Sequence, residues 1–155
     1  MKIEILACLP LLLSLASCVA PPTPSSSSSA TASAANLDTI TFPRITSSGW
    51  QRTQTKPELG LNGLPCVRYR NAADRSTSVE IYFHGKAPQW VKTTEPEFVT
   101  IMGQKVQTYG SGNEVVAFAT QPFLLTTPDG ASNYYTFDFT GDNLYKSRKI
   151  PGFSW

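Results

Sequence analysis

The chain has 155 residues, of which 41% are hydrophobic and 15% are charged, and its formal net charge is +2 at pH 7. This length predicts a single folded domain, and the small net charge excludes a protein that attracts its partner through total charge alone. The basic residues form no recognisable nucleic-acid-binding module, so we expect no nucleic-acid partner.

The charged residues are unevenly distributed along the chain. Basic residues dominate from Arg44 to Lys92, and acidic residues dominate from Thr93 to Tyr145. Either the two halves interleave in a sheet and neutralise each other across strands, or they form a two-faced surface that attracts a charged partner.

The first predicted element is an export signal at residues 1–17. Lys2 precedes a run of apolar and small residues at positions 5–17, which is too short to span a bilayer but has the length of a signal-peptide core. The run ends in Leu15-Ala16-Ser17-Cys18. This motif resembles the lipobox of bacterial lipoprotein precursors, and the resemblance covers only the signal segment and Cys18.

The resemblance implies cleavage before Cys18 and attachment of a diacylglycerol to the Cys18 thiol. Because two or more acyl chains anchor a protein stably, the expected location is the membrane of the cell envelope, and the outer membrane if the source has one. The alternative is an ordinary signal peptide on a secreted protein, although cleavage after Ala20 would leave Pro21 at the first mature position.

Residues 18–36 are predicted to form a lipid-anchored, disordered stalk. Prolines and serines are followed by an alanine-rich stretch, and none of these side chains buries enough apolar surface to offset the entropy of ordering. The stalk would hold the domain away from the lipid headgroups. Every aromatic residue lies after residue 36, so residues 37–155 are expected to fold as one β domain.

Strands are predicted wherever apolar and polar residues alternate with a period of two. The clearest alternation is in segments 65–70, 77–84 and 134–140, and segment 114–120 is apolar on both faces, as in a central strand. Segment 123–127, which follows Pro122, pairs with 134–140 in a predicted hairpin around Asp129-Gly130. Weaker candidates are segments 39–45, 50–55, 89–92, 98–102 and 104–109.

Helical periodicity is nearly absent, and the best candidate is one short turn after Thr94. Many short strands separated by turns are typical of all-β folds. We therefore predict a mainly β domain, a small antiparallel β-sandwich or β-barrel with at most one short helix.

No catalytic, cofactor or metal-binding motif stands out. The segment after residue 17 contains one His and two Cys, which are too few for a zinc site, and a calcium site near Asp138, Asp142 and Asn143 lacks the spacing of a calcium loop. Cys66 and His84 are a conceivable thiolate–imidazole pair. The simpler interpretation is a Cys66 thiol shielded by the turn at 61–64, so we expect a protein that is not an enzyme.

A polar and aromatic patch is the candidate binding site. It comprises Arg68, Arg70, Glu80, Tyr82 and His84, which share one phase of two consecutive predicted strands. If those strands pair, the patch is suited to an anionic group or a partner protein. The alternative is a solvated sheet face with cross-strand ion pairs.

These observations favour a non-catalytic envelope lipoprotein whose β domain binds another envelope protein. The alternative functions are a small-ligand or glycan binder, which would use Trp50, Trp90, Tyr82 and Tyr134 for stacking, and an enzyme. Phe153 and Trp155 near the C-terminus either fold back onto the core or form a docking peptide for another protein.

Lipidation of Cys18 is directly testable. When the chain is expressed in a bacterium, it should incorporate labelled fatty acid and partition into detergent, because the lipobox directs acylation of that thiol. The Cys18→Ser variant should lose both properties, whereas Cys66→Ser should keep them. Uptake of label by the Cys18→Ser variant would refute the assignment.

Overall fold

The computed structural model describes residues 34–110 and 116–155, so the predicted signal peptide, Cys18 and most of the predicted stalk lie outside the described residues. Within these ranges the fold is mainly β and antiparallel, as predicted. The 3-10 helix Ala34–Thr39 begins within the last residues of the predicted stalk, and the α-helix α1 spans Asp142–Ser147. The strands are β1 Arg44–Ile45, β2 Trp50–Arg52, β3 Glu58–Leu59, β4 Pro65–Asn71, β5 Ser78–His84, β6 Glu97–Ile101, β7 Gln104–Gly110, β8 Ala117–Thr120, β9 Phe123–Thr126, β10 Ser132–Thr140 and β11 Phe153–Ser154.

Most strands belong to one antiparallel sheet of nine strands, in the order β2-β4-β5-β10-β8-β7-β6. In addition, β3 pairs with β4 and β9 pairs with β10. The strands predicted most clearly, β4, β5 and β10, lie next to one another at the centre of this order. The predicted hairpin is also confirmed, because β9 pairs with β10 across the turn that contains Asp129 and Gly130.

Aromatic residues of β10 form the centre of the core. Tyr135, Phe137 and Phe139 are each 0% exposed, and they occupy alternate positions because successive side chains of a strand point to opposite faces. The other strands add further buried residues to the same cluster: Val67, Tyr69, Val79, Ile81, Val99, Ile101, Val106, Phe118, Phe123 and Leu125. The alternation predicted for segments 77–84 and 134–140 is therefore confirmed.

A β-bulge separates β8 from β9, which lie end to end along one side of β10. Phe118 pairs with Phe139 and Phe123 pairs with Tyr135. The four residues 119–122 therefore lie opposite only three residues of β10, 136–138. The extra residue lies beside Pro122, which has no N–H to donate and is tolerated at such a bulge. Of the predicted central strand 114–120, residues 117–120 form β8, which lies between β10 and β7 as predicted, residue 116 is not in a strand, and residues 114 and 115 lie outside the described residues.

The two ends of the folded segment pair with each other and cover the core. β1 and β11 form a two-stranded antiparallel sheet, and the Phe153 ring meets those of Phe137 and Phe139 with centroid distances of 5.0 and 6.4 Å. The Trp155 ring contacts Tyr135 at 6.0 Å. Of the two interpretations of the C-terminal aromatics, the structure confirms that they fold back onto the core.

Several local predictions were wrong. The predicted helical turn after Thr94 does not form, and the helix begins instead at Asp142, where only a turn was predicted. This short helix is stabilised by burial of Leu144 and by an i,i+4 ion pair between Asp142 and Lys146, neither of which requires long helical periodicity. Segment 89–92 is not a strand, and only residues 44–45 of segment 39–45 are.

No helix within the described ranges is both long enough and apolar enough to cross a membrane.

The contact of Phe153 with β10 gives a stability prediction. Phe153→Ala should lower the free energy of unfolding by about 2–3 kcal/mol, somewhat less than for a fully buried phenylalanine, because it removes the ring that packs on Phe137 and Phe139. Chemical denaturation of the chain measures this change. The matched control Leu61→Ala removes a fully exposed side chain and should change stability by less than about 0.5 kcal/mol. Equal values for both variants would mean that the C-terminal strand does not contribute to the core.

Candidate functional site

The predicted patch lies on the face of the large sheet that points away from the aromatic core, hereafter the outer face. β4 and β5 pair antiparallel, with Cys66 opposite Tyr82 and Arg68 opposite Glu80. Side chains of directly opposite residues share one face of a sheet. The predicted patch required its two strands to pair, and they do.

Glu80 is the centre of the hydrogen bonding in this patch. Its carboxylate accepts a hydrogen bond from Arg68 Nε at 2.5 Å and another from the Tyr82 hydroxyl. Burial by itself would raise the pKa of Glu80, but these two donors outweigh it, and the pKa lies below its ordinary value. Glu80 is thus an ionised and well-satisfied carboxylate.

Asp138 also belongs to this site, although it was not part of the predicted patch. It lies on β10 directly opposite Glu80, so the two carboxyl groups form an adjacent acid pair on the outer face. Burial, followed by repulsion from the Glu80 carboxylate, raises the pKa of Asp138 to about 6. The alternation of segment 134–140 placed Asp138 on its polar face, but only the pairing of β5 with β10 reveals its neighbour.

His84 lies farther along β5 and faces Tyr134 of β10. Its imidazole Nε2 lies 3.0 Å from the Thr136 hydroxyl, and burial lowers the pKa of His84, so the ring is neutral at pH 7. His84 is therefore a hydrogen-bonding group of the sheet rather than a positive charge on the patch.

Cys66 is not paired with His84, because the register of β4 and β5 places it opposite Tyr82. The side chain is 1% exposed, and burial is the main cause that raises the pKa of its thiol, which disfavours the thiolate needed for nucleophilic chemistry. A Cβ placed on Gly60 would lie 2.6 Å from Tyr82 Cε1 and 3.4 Å from Cys66 Sγ. The turn that starts at Gly60 thus covers the thiol closely, in agreement with the predicted shielding.

Arg70 belongs to a different part of the outer face. It lies opposite Ser78 on β5 and opposite Gln51 on the edge strand β2. Its side chain is exposed and lines a surface groove of about 350 Å³ together with Arg52 and Arg75. The five predicted residues therefore separate into a hydrogen-bonded cluster around Glu80, a neutral histidine and an exposed arginine that lines the groove.

A second feature of the outer face is the connection between β5 and β6, residues 85–96, hereafter the Trp90 loop. Gln121, which is 0% exposed at the β-bulge, accepts a hydrogen bond from Val91 N at 2.8 Å and donates one to Val91 O. Gln107 Nε2 donates a hydrogen bond to the Thr93 hydroxyl at 2.6 Å. Gln107 lies opposite Phe98, on the face of β7 that points away from the core. The loop that it contacts through Thr93 therefore crosses the outer face.

The Trp90 loop presents apolar side chains to solvent. Trp90 is 60% exposed and Val91 is 44% exposed, although the backbone beside them is held by a buried glutamine. Phe98 on β6 and Leu124 on β9 are also exposed, and the Lys105 ammonium lies 4.6 Å from the Phe98 ring centroid. From the sequence, Trp90 was predicted only as a stacking residue, and no sequence pattern marks Gln121.

The acidic residues near Asp138 and Asp142 do not converge on a common point. Asp142 pairs with Lys146 at 2.8 Å, while Asp138 faces Glu80 across the sheet. Within residues 34–110 and 116–155, no group of three or more His, Cys, Asp or Glu side chains is arranged to hold a metal ion.

Comparison of the chain with protein-family models, curated proteins and solved structures gave no match. Function must therefore be inferred from the chemistry of these surfaces.

The acid pair predicts an unusual dependence of stability on pH. The pKa of Asp138 is raised to about 6 in the folded protein. The stability that protonated Asp138 contributes is therefore complete below its unfolded-state pKa and is lost as the pH rises through 6. Asp138→Asn should therefore stabilise the protein at pH 7.5, on the order of 2 kcal/mol. Denaturant unfolding between pH 4 and pH 8 should show this gain shrinking toward zero at the acidic end.

Asp129→Asn is the matched control for the effect of Asp138. Hydrogen bonds from Thr127 and Ala131 lower the pKa of Asp129, so its stabilising contribution is present at neutral pH and is lost on acidification. Between pH 4 and pH 8 the control variant should therefore destabilise the protein by a nearly constant amount, because this contribution is lost only below the ordinary aspartate pKa of about 3.9. If Asp138→Asn also destabilises at neutral pH, the carboxyl group of Asp138 is not strained by Glu80.

Proposed function

We propose that the chain is a membrane-anchored lipoprotein of the cell envelope, whose non-catalytic β domain binds another envelope protein through the Trp90 loop and the adjacent outer face. The lipobox at Cys18 supports the membrane anchor. The observation that carries the binding role is Trp90, a largely exposed tryptophan on a loop that a fully buried glutamine holds in place.

The way in which the Trp90 loop is held favours recognition over a purely structural role. A buried glutamine needs hydrogen-bond partners for its amide, and both the oxygen and the nitrogen of the Gln121 amide find one in the backbone of Val91. The loop is thereby ordered before any partner arrives, which reduces the entropy that binding must overcome. Tryptophan is also among the residues that contribute most to binding free energy at protein interfaces.

The surroundings of Trp90 fit the usual arrangement of a protein interface, in which an apolar centre is surrounded by polar groups. Val91, Phe98 and Leu124 provide further exposed apolar area on the outer face. The acid pair, Glu80 and Asp138, adds a polar region on the same face. Together these groups favour a protein partner with a mainly apolar contact surface and a polar rim.

Ligand binding by aromatic stacking has less support. Of the residues proposed for it, Tyr82 is buried with its hydroxyl on Glu80, and Trp50 packs against the core. The two carboxylates of the acid pair are also a poor basis for catalysis, because Arg68 and Tyr82 already occupy Glu80. A non-catalytic interaction surface is the function that these contacts favour.

In vivo crosslinking tests the proposed interface. A photo-reactive amino acid at position 91, next to Trp90, should yield a specific crosslinked product in membranes of the source cell, and Trp90→Ala should reduce its yield by about tenfold or more. Gln121→Ala should also reduce it, because the loop loses its anchor. Leu61→Ala is the control, since it removes an apolar side chain that is more exposed than Trp90 and lies in a different turn.

An equal loss of crosslinking with Leu61→Ala would indicate nonspecific apolar contact rather than a defined interface. Unchanged crosslinking with Trp90→Ala would exclude the Trp90 loop as the binding surface. Thermal unfolding of each variant separates these outcomes from loss of the fold.

A further inference from the structure

The groove lined by arginines lies away from the Trp90 loop, at the edge of the sheet formed by β2. Its walls come from β2, from the end of β4 and from the β4–β5 turn, and its volume is about 350 Å³. The lining residues are Gln51, Arg52, Thr53, Arg70, Asn71, Ala72 and Arg75. No carboxylate is among them.

The arginines of this groove are unpaired within the described part of the chain. Among the described residues the ion pairs involve Lys56, Arg68, Lys146 and Arg148, and none involves Arg52, Arg70 or Arg75. Asp74, the acid next to Arg75 in the sequence, instead accepts hydrogen bonds from the Ser76 and Thr77 hydroxyls, each at 2.5 Å. The positive charge of the groove is therefore not neutralised by side chains that line it.

The backbone that carries these arginines is well braced. Asn71 Oδ1 accepts hydrogen bonds from the N–H groups of Ala73 and Asp74, and Ala72 N donates to Gly49 O at 2.7 Å, which ties the β4–β5 turn to the start of β2. Arg70 is held opposite Gln51 by the pairing of β4 with β2. The backbone on either side of Arg70 and Arg75 is thus held by hydrogen bonds and strand pairing.

The distribution of charge in the whole chain leads to the same conclusion. If the basic segment 44–92 and the acidic segment 93–145 neutralised each other, ion pairs would join them. The ion pairs found in the described part of the chain do not join these two segments. The basic residues at the β2 edge therefore remain available for an external anion, as expected for a two-faced surface.

We propose that this groove is a binding site for a phosphate group, with Arg70 and Arg75 as its principal ligands. The planar guanidinium group donates two parallel hydrogen bonds to phosphate oxygens, and the exposed Gln51 side chain beside Arg70 supplies a further polar contact. Arg52 lies opposite Tyr69 rather than beside Arg70, so it contributes mainly through its charge. The phosphate is either free or esterified in a larger molecule such as a lipid headgroup.

Calorimetric titration of the full chain in a neutral detergent tests the site. The probes are inorganic phosphate and glycerol 3-phosphate, with chloride at the same ionic strength as the reference. We expect saturable binding of at least one phosphate compound, and Arg70→Gln or Arg75→Gln should weaken it by about tenfold or more. Arg70→Lys should weaken it less, because it retains the charge but loses the paired hydrogen bonds.

Lys86→Gln is the matched control, since it removes an exposed positive charge outside the groove and should leave affinity within about twofold. Tighter binding of glycerol 3-phosphate would identify the ligand as an esterified phosphate. Tighter binding of inorganic phosphate would identify it as free phosphate, and either result supports the site. The proposed site would be overturned if neither phosphate compound bound saturably, or if Lys86→Gln weakened binding as much as Arg70→Gln and Arg75→Gln. The variants change exposed side chains, and their circular dichroism spectra verify the fold.

Discussion

The pairing of β10 with β5 is the constraint on which both the core and the outer face depend. On one face it aligns Tyr135, Phe137 and Phe139 in a fully buried row, on which the C-terminal aromatics pack. On the other face it places Asp138 against Glu80. The burial of the aromatic row stabilises the sheet, so the sheet tolerates a carboxyl group whose ionisation is unfavourable at neutral pH.

The β-bulge beside Pro122 links the packing of the core to the surface proposed for recognition. One extra residue lets β8 and β9 follow the same side of β10, and it also places the Gln121 side chain where it bonds to Val91. A bulge commonly redirects a side chain in this way. The exposed Trp90 is therefore supported by an irregularity of the central sheet and not by the loop sequence itself.

The strands could be predicted largely from local alternation, because the pleat of a strand gives side chains a period of two. This is why β4, β5 and β10 were assigned correctly, whereas β9 was predicted from the turn chemistry beside it. The helix was missed because its stability comes from Leu144 against the core and from an ion pair with Lys146, which a search for long periodicity does not detect. Part of the patch was also predictable, since Arg68, Glu80 and Tyr82 share one phase of adjacent strands.

The sequence by itself determined the β class of the domain and the face of each strand that is polar, since both depend on residues close together in the chain, and the predicted export signal rests on the sequence alone. Only the tertiary structure decided which polar residues meet. Asp138 lies 58 positions after Glu80 in the chain, yet faces it across the sheet, and Gln121 supports a loop 30 positions away. Likewise, only the packing of the termini showed that Phe153 belongs to the core, because strand pairing and side-chain burial depend on contacts that no local pattern records.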